Sequence, residues 1–345
     1  MTVANWQRWL FWLILGAFSV FFAEVLSVSD PFVYFHIFGL FGIYTHYTLH
    51  VLVLAPLAVR LGRQVRFGAL FTAGAIFGLY EAYMTKVLWS PPWEPDAFRI
   101  GGVAVVSSLM LVLFWHPFFS FLLPLFIADH LLVDSDCLQS SLSARMQHLV
   151  NKPWFVPLAA ILAGVLHGSR LNNPVNGFLS AASTSCVILV LLFLWDLGTG
   201  AQQFELAELL PRGKVWWVCL GLLLAYYGAF GFTLNVDKLP GLGPQAVIWG
   251  MYGLFGGLLW IIQRKAPPEP ITVEANEGLW ESRQTARRWL PFALIFTVSS
   301  TVSGALLSWA GEIILALVWL VGIIVGLVWL VGAVRQALVR PRGSD

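Results

Sequence analysis

His46 and His50 stand four residues apart on one apolar segment, and the next apolar segment carries Glu81 and Lys86 within Tyr80-Glu81-Ala82-Tyr83-Met84-Thr85-Lys86. His36 opens the first of these segments. An ionised side chain at a bilayer centre costs roughly 3 kcal/mol on insertion scales, so such groups face a bundle interior and mark sites. Three chemistries fit this set. In a carrier, Glu81 titrates and couples a proton or cation to a small solute, with the two imidazoles relaying protons near neutral pH. In a metal enzyme, His46 and His50 at i and i+4 reach one ion, and Glu81 or another histidine completes the shell. A haem held by histidines is a variant of that reading. In a structural subunit of a larger membrane complex, the same groups only bond across helices.

The motif context narrows the metal reading. The zincin pattern needs Glu directly after the first His, and Tyr47 stands there. No second His-x-x-x-His and no Glu-x-x-His occurs, so a di-iron carboxylate site has no support. Cys137, Cys186 and Cys219 show no metal or redox spacing. There is no nucleophile elbow, P-loop or dinucleotide fingerprint. Ser183-Thr184-Ser185 and Ser299-Ser300-Thr301 have no His nearby in sequence and read as helix-packing hydroxyls.

Other polar residues extend the candidate site. Glu24 lies near the end of the first apolar segment, and His167 and Arg170 end the fifth. With His36, Glu81 and Lys86 they suit an outward-facing polar vestibule, and Ser90-Pro91-Pro92-Trp93-Glu94-Pro95 reads as a rigid outer loop that either lids it or simply connects two spans. His116, Asp129, His130 and Asp196 fall deeper or nearer the opposite side, with Asp129-His130 expected at the interface in reach of water. Glu312 begins the last segment as a helix N-terminal charge.

The elements that must position these groups follow from composition. Of 345 residues 58% are hydrophobic and 11% charged, against about 25% charged in soluble domains. The apolar runs are too long and continuous for barrel strands. The fold class is therefore all-α, a polytopic transmembrane helical bundle in a single integral membrane domain over 1–345. At about 20 residues per span, about ten are expected, near 6–27, 36–59, 67–89, 100–133, 154–167, 178–197, 214–234, 243–262, 290–309 and 312–334. The fourth is too long for one straight helix, and His116-Pro117 and Pro124 predict a kinked or two-part element. Arg60, Arg63 and Arg66, then Arg264, Lys265, Arg283, Arg287 and Arg288, then Arg335, Arg340 and Arg342 cluster in alternate connections. That bias places both termini in the cytoplasm. Trp6, Trp9, Trp89, Trp93, Trp154 and Trp289 fit an interfacial belt. Residues 263–289 read as a cytoplasmic linker with an interfacial helix over 274–289 that lays Trp280 and Trp289 on lipid.

Helical geometry then relates the site residues. At about 1.5 Å per residue, His46 lies about 15 Å and His50 about 21 Å below the outer end of the second span, with Glu81 about 12 Å and Lys86 about 5 Å below the end of the third. His46 and His50 share a face with Gly39 and Gly42, which reads as a packed face. On the third span the small stripe Gly74, Gly78, Ala82 runs beside the polar stripe Glu81, Thr85. The site is thus expected between spans two and three. The net charge of +2 argues for no nucleic-acid partner. The expected partners are the lipid bilayer, a small solute or ion and, in an oligomer or complex, other subunits. The expected location is a prokaryotic cytoplasmic membrane.

Overall fold

The computed structural model describes residues 3–84, 97–100, 102–133, 135, 137–200, 202–233, 241–267 and 284–339. In chain order the helices of more than five residues are α1 Asn5–Val25, α2 Phe38–Ala58, α3 Phe67–Met84, α4 Val105–Val133, α5 Ala144–Val150, α6 Phe155–Leu171, α7 Pro174–Thr199, α8 Lys214–Phe230, α9 Leu242–Arg264, α10 Thr285–Leu306 and α11 Ser308–Leu338. A two-stranded antiparallel hairpin, β1 Arg99–Ile100 and β2 Val103–Ala104, precedes α4.

Seven of these helices are long and apolar enough to cross a membrane, and α5 with α6, bent by 78°, makes an eighth if the pair is one span. Each of the ten expected segments contains helix. Of the kinked or two-part element expected for the fourth span, the two-part form is not seen. α4 is one helix of 29 residues whose backbone widens to π geometry over Leu111–Leu122 and again over Asp129–Val133. Widening the turn accommodates the missing donor of Pro117 without a break.

The chain divides into two compact units, Met1–Thr48, Leu123–Leu210 and Glu269–Leu317 in the first and Leu49–Leu122, Pro211–Pro268 and Val318–Asp345 in the second. In the first unit α10 packs into α6 and α7. Lipid tails are as apolar as leucine, so close backbone approach at small residues drives such packing. A Cβ on Gly168 would stand 1.9 Å from the Ser300 carbonyl oxygen, and one on Gly164 2.5 Å from Ser299 Cβ. Aromatic rings fill the rest: Phe11 on Trp195 at 6.1 Å and Phe21 on Phe296 at 5.2 Å.

Trp289 belongs to this core. It is 4% exposed and meets Phe18 at 5.2 Å and Phe292 at 4.5 Å. The expectation that it lies on lipid is therefore wrong: its ring is enclosed by Phe18, Phe21, Phe22 and Phe292. Trp6, Trp9 and Trp154 are exposed, as a belt requires. Most of the interfacial helix expected over 274–289, including Trp280, lies outside the described residues.

Asp196 caps α10. Its carboxylate accepts the Thr285 hydroxyl at 2.6 Å and the backbone N–H groups of Thr285 and Ala286, each at 3.1 Å. A carboxylate suits the positive end of a helix and satisfies donors that have no intrahelical partner. Asp196→Ala is expected to cost about 1 kcal/mol, read as a lower unfolding midpoint in detergent, with Asp196→Asn losing less.

In the second unit α3 packs on α4 through its small stripe. A Cβ on Gly74 would meet Pro117 Cα at 2.7 Å, and one on Gly78 the Leu111 carbonyl at 2.6 Å. Gly322 and Gly326 of α11 meet Phe114 and Leu113 of α4 in the same way. α9 packs on α3 from another side.

Candidate functional site

With Gly74 and Gly78 committed to α4, the adjacent face of α3 presents Phe77, Tyr80 and Glu81, spaced three and four apart as one face requires. His50 comes to this face from α2. Its ring stacks on Phe77 at 4.5 Å with 10° between planes and lies 4.3 Å from Tyr80. His50 Nε2 is 2.9 Å from the Tyr227 hydroxyl of α8, and Tyr227 is 3.3 Å from the Tyr252 hydroxyl of α9. The half-buried Glu81 carboxylate lies within electrostatic range of Tyr227. Imidazole and phenol each donate and accept, so each contact in this row can run in either direction.

His116 joins from α4. Its ring stacks on Phe77 at 5.7 Å, so Phe77 is flanked by two imidazoles, and its Nδ1 is 2.8 Å from Ser120 Oγ. Sequence spacing placed His116 apart from His50; the Phe77 ring of α3, in contact with both imidazoles, unites them. Tyr227 and Tyr252 were not singled out in the sequence, where tyrosines in an apolar segment look like any other aromatic.

The remaining candidates lie in the first unit or outside the description. His46 is buried, 2% exposed. Glu24 sits on the π-helical turn Phe21–Val25, and its carboxylate accepts the Tyr47 hydroxyl of α2. The chain after it folds back so that the Glu24 carbonyl accepts Ser29 and Asp30 N–H groups at 3.1 and 3.2 Å. Val28 in this turn has φ 62°, a costly conformation for a β-branched residue. His36 is half-exposed; its Nε2 pairs with Asp30 at 2.7 Å while its Nδ1 accepts the Gly39 N–H at 3.0 Å. Arg170 donates to the Ser27 carbonyl and stands 3.6 Å from the well-exposed Glu312. Lys86 and the 90–95 loop lie outside the described residues.

Two sequence expectations change here. His167 does not line a vestibule. It is fully buried, with Nδ1 2.7 Å from Ser300 Oγ and Nε2 3.0 Å from Ser180 Oγ. A Ser–His pair is chemically a nucleophile and base, but Gly168 and Gly177 crowd Ser300 to packing distance. No room remains for an acyl substrate, and the pair ties three helices. Asp129 is also buried, out of the reach of water expected for it. It accepts the Ser135 hydroxyl at 2.5 Å and the Leu138 N–H at 2.9 Å, ordering the turn after α4, while His130 is exposed beside Arg288 at 2.9 Å.

Among the described residues, no group of three His, Cys, Asp or Glu side chains is placed to hold a metal ion.

The helices and their buried polar groups define a polytopic, integral membrane protein. The chain belongs to an uncharacterized membrane protein family, whose pattern it matches over residues 13–340. It is similar to an uncharacterized protein of the archaeon Archaeoglobus fulgidus, 35% identical over 294 residues that cover 85% of this chain and 89% of the relative. No solved structure matches it.

Proposed function

We propose that this protein is a carrier of a prokaryotic cytoplasmic membrane that couples movement of a small solute to protonation of Glu81. The reading includes ten crossings with both termini on the cytoplasmic side, following the alternation of basic connections. The observation that supports it most is the row His50–Tyr227–Tyr252 beside Glu81. A carboxylate within an apolar bundle is the group whose charge state changes most consequentially, because its ionised form is disfavoured unless a cation accompanies it. The row supplies a means of bringing the proton there, and Lys86, five residues on, is the expected counter-charge. The reading with a metal or haem at His46 and His50 draws less support, because His50 Nε2 is already engaged by Tyr227.

Purified protein in vesicles carrying a trapped pH dye tests the proposal against sugars, amino acids, carboxylates and organic cations in turn. One class is expected to move protons in the wild type, unaffected by chelator, and Glu81→Gln is expected to abolish that movement. Proton movement that survives Glu81→Gln unchanged would sink the assignment of Glu81. A silent wild type with near-stoichiometric bound metal, lost in His46→Ala/His50→Ala, would replace the carrier with a metalloprotein.

A further inference from the structure

The charge of the second unit is lopsided. Among its described residues Glu81 is the one carboxylate, whereas Arg60, Arg63, Arg66, Arg264, Lys265 and Arg335 gather where α2, α9 and α11 end and α3 begins. Hydrogen bonds fasten these ends together. Arg63 donates to the Ala266 carbonyl at 2.8 Å, the Gln64 N–H to Pro267 at 3.2 Å, and Lys265 Nζ to the Ala337 carbonyl at 2.5 Å. The Gly68 N–H meets Gln336 Oε1 at 3.1 Å. Glu81 lies about 21 Å away along α3 at 1.5 Å per residue, too far to neutralise the cluster through water and salt.

Helix C-termini favour cations, and that accounts for Arg63 and Lys265, which cap carbonyls. Arg264 and Arg335 also stand in the last turns of their helices, but Arg66 precedes α3, at the helix end that disfavours a cation, and none of Arg60, Arg66, Arg264 and Arg335 has a carboxylate partner among the described residues. Arg66 carries a buried Nη1 with no hydrogen-bond partner, a costly state that an acceptor oxygen would relieve. Arg264 lies over the Trp260 ring at 4.2 Å, and Trp260 is more than half exposed, as an indole at a membrane interface is. Exposed Leu61, Ile261, Leu338 and Val339 border the cations. Cationic and apolar surface are therefore continuous, which suits a molecule with a phosphate at one end and acyl chains at the other.

We propose that this end of the second unit is a binding site for the headgroup phosphate of an anionic phospholipid. Arg60, Arg66, Arg264 and Arg335 supply the donors, and Arg63 and Lys265 hold the helix ends in place. Basic clusters beside spans attract anionic headgroups by both charge and charge-assisted hydrogen bonds.

The test is thermal unfolding and native mass spectrometry of the full chain in detergent, with phosphatidylglycerol, phosphatidylcholine or inorganic phosphate added. Phosphatidylglycerol is expected to raise the unfolding midpoint and to remain bound, with the other two inert. R60Q/R66Q/R264Q/R335Q is expected to retain it at least about tenfold more weakly, and R66Q alone to lose part of the retention. R287Q/R288Q removes two cations from the first unit and should leave retention unchanged. Equal retention in R66Q and wild type, equal loss in R287Q/R288Q, or equal stabilisation by phosphatidylcholine would overturn the site. Stabilisation by inorganic phosphate matching that of the lipid would overturn the lipid as its occupant. Should the fourfold variant fail to fold, R66Q against R287Q/R288Q decides.

Discussion

Gly168→Leu is expected to eliminate the folded protein. The added Cβ would stand 1.9 Å from the Ser300 carbonyl oxygen and 2.3 Å from Ser303 Oγ. The first of these is backbone and cannot swing aside, so α6 and α10 must separate. Overpacking a core by a methylene or two costs about 1–3 kcal/mol, and a leucine adds more atoms than that. Separation would also part His167 from Ser300, bonded at 2.7 Å, leaving buried polar groups unpaired at about 1–3 kcal/mol each. Together these approach the whole stability of a typical domain, about 5–15 kcal/mol. Size-exclusion profiles of a fluorescent fusion in mild detergent are the measurement. Gly168→Leu should lose the monodisperse peak, whereas Gly256→Leu, whose Cβ has nothing within 4 Å, should keep it. A monodisperse Gly168→Leu protein of wild-type yield would mean that the two helices do not meet at this glycine.

On the carrier reading, Tyr227→Phe has the largest expected effect on coupling after Glu81→Gln. The substitution deletes one oxygen and keeps the ring that packs on Tyr80 at 4.9 Å, so the fold should survive. It breaks the row between His50 and Tyr252, whose links are 2.9 and 3.3 Å. Positioned proton-transfer groups are worth about 100- to 10,000-fold in rate, and coupled flux in dye-loaded vesicles should fall by at least about tenfold. Tyr252→Phe should cost less, because its hydroxyl ends the row and its contact is the longer one. Tyr34→Phe is the matched control in the first unit. Its hydroxyl donates to the Ala17 carbonyl at 2.7 Å, so its loss should lower stability by about 1 kcal/mol and leave coupling alone. Full coupling in Tyr227→Phe would remove this row from the proton's route while leaving Glu81 open to the separate test above.

Local composition determined the class. Long apolar runs that cannot be solvated must be helices in lipid, because hydrocarbon offers backbone groups no partner. The small stripe Gly74, Gly78 on α3 could be read as a packed face for the same local reason, since helical periodicity alone puts these residues in line. Which helix covers that face is a long-range matter: α4 takes it, at Pro117 and Leu111. Pairings more than a hundred residues apart had no sequence signal at all. Ser300 looked like a lone packing hydroxyl and holds His167 from 133 positions away; Tyr227 looked like one more aromatic and meets His50 from 177 away. Trp289 looked interfacial because it lies at a span end, and only the assembled aromatic cluster shows that it is core. Periodicity specifies the direction in which a side chain leaves its own helix. The partner it finds depends on how helices pack, and in lipid that is decided by shape complementarity among small residues spread over the whole chain.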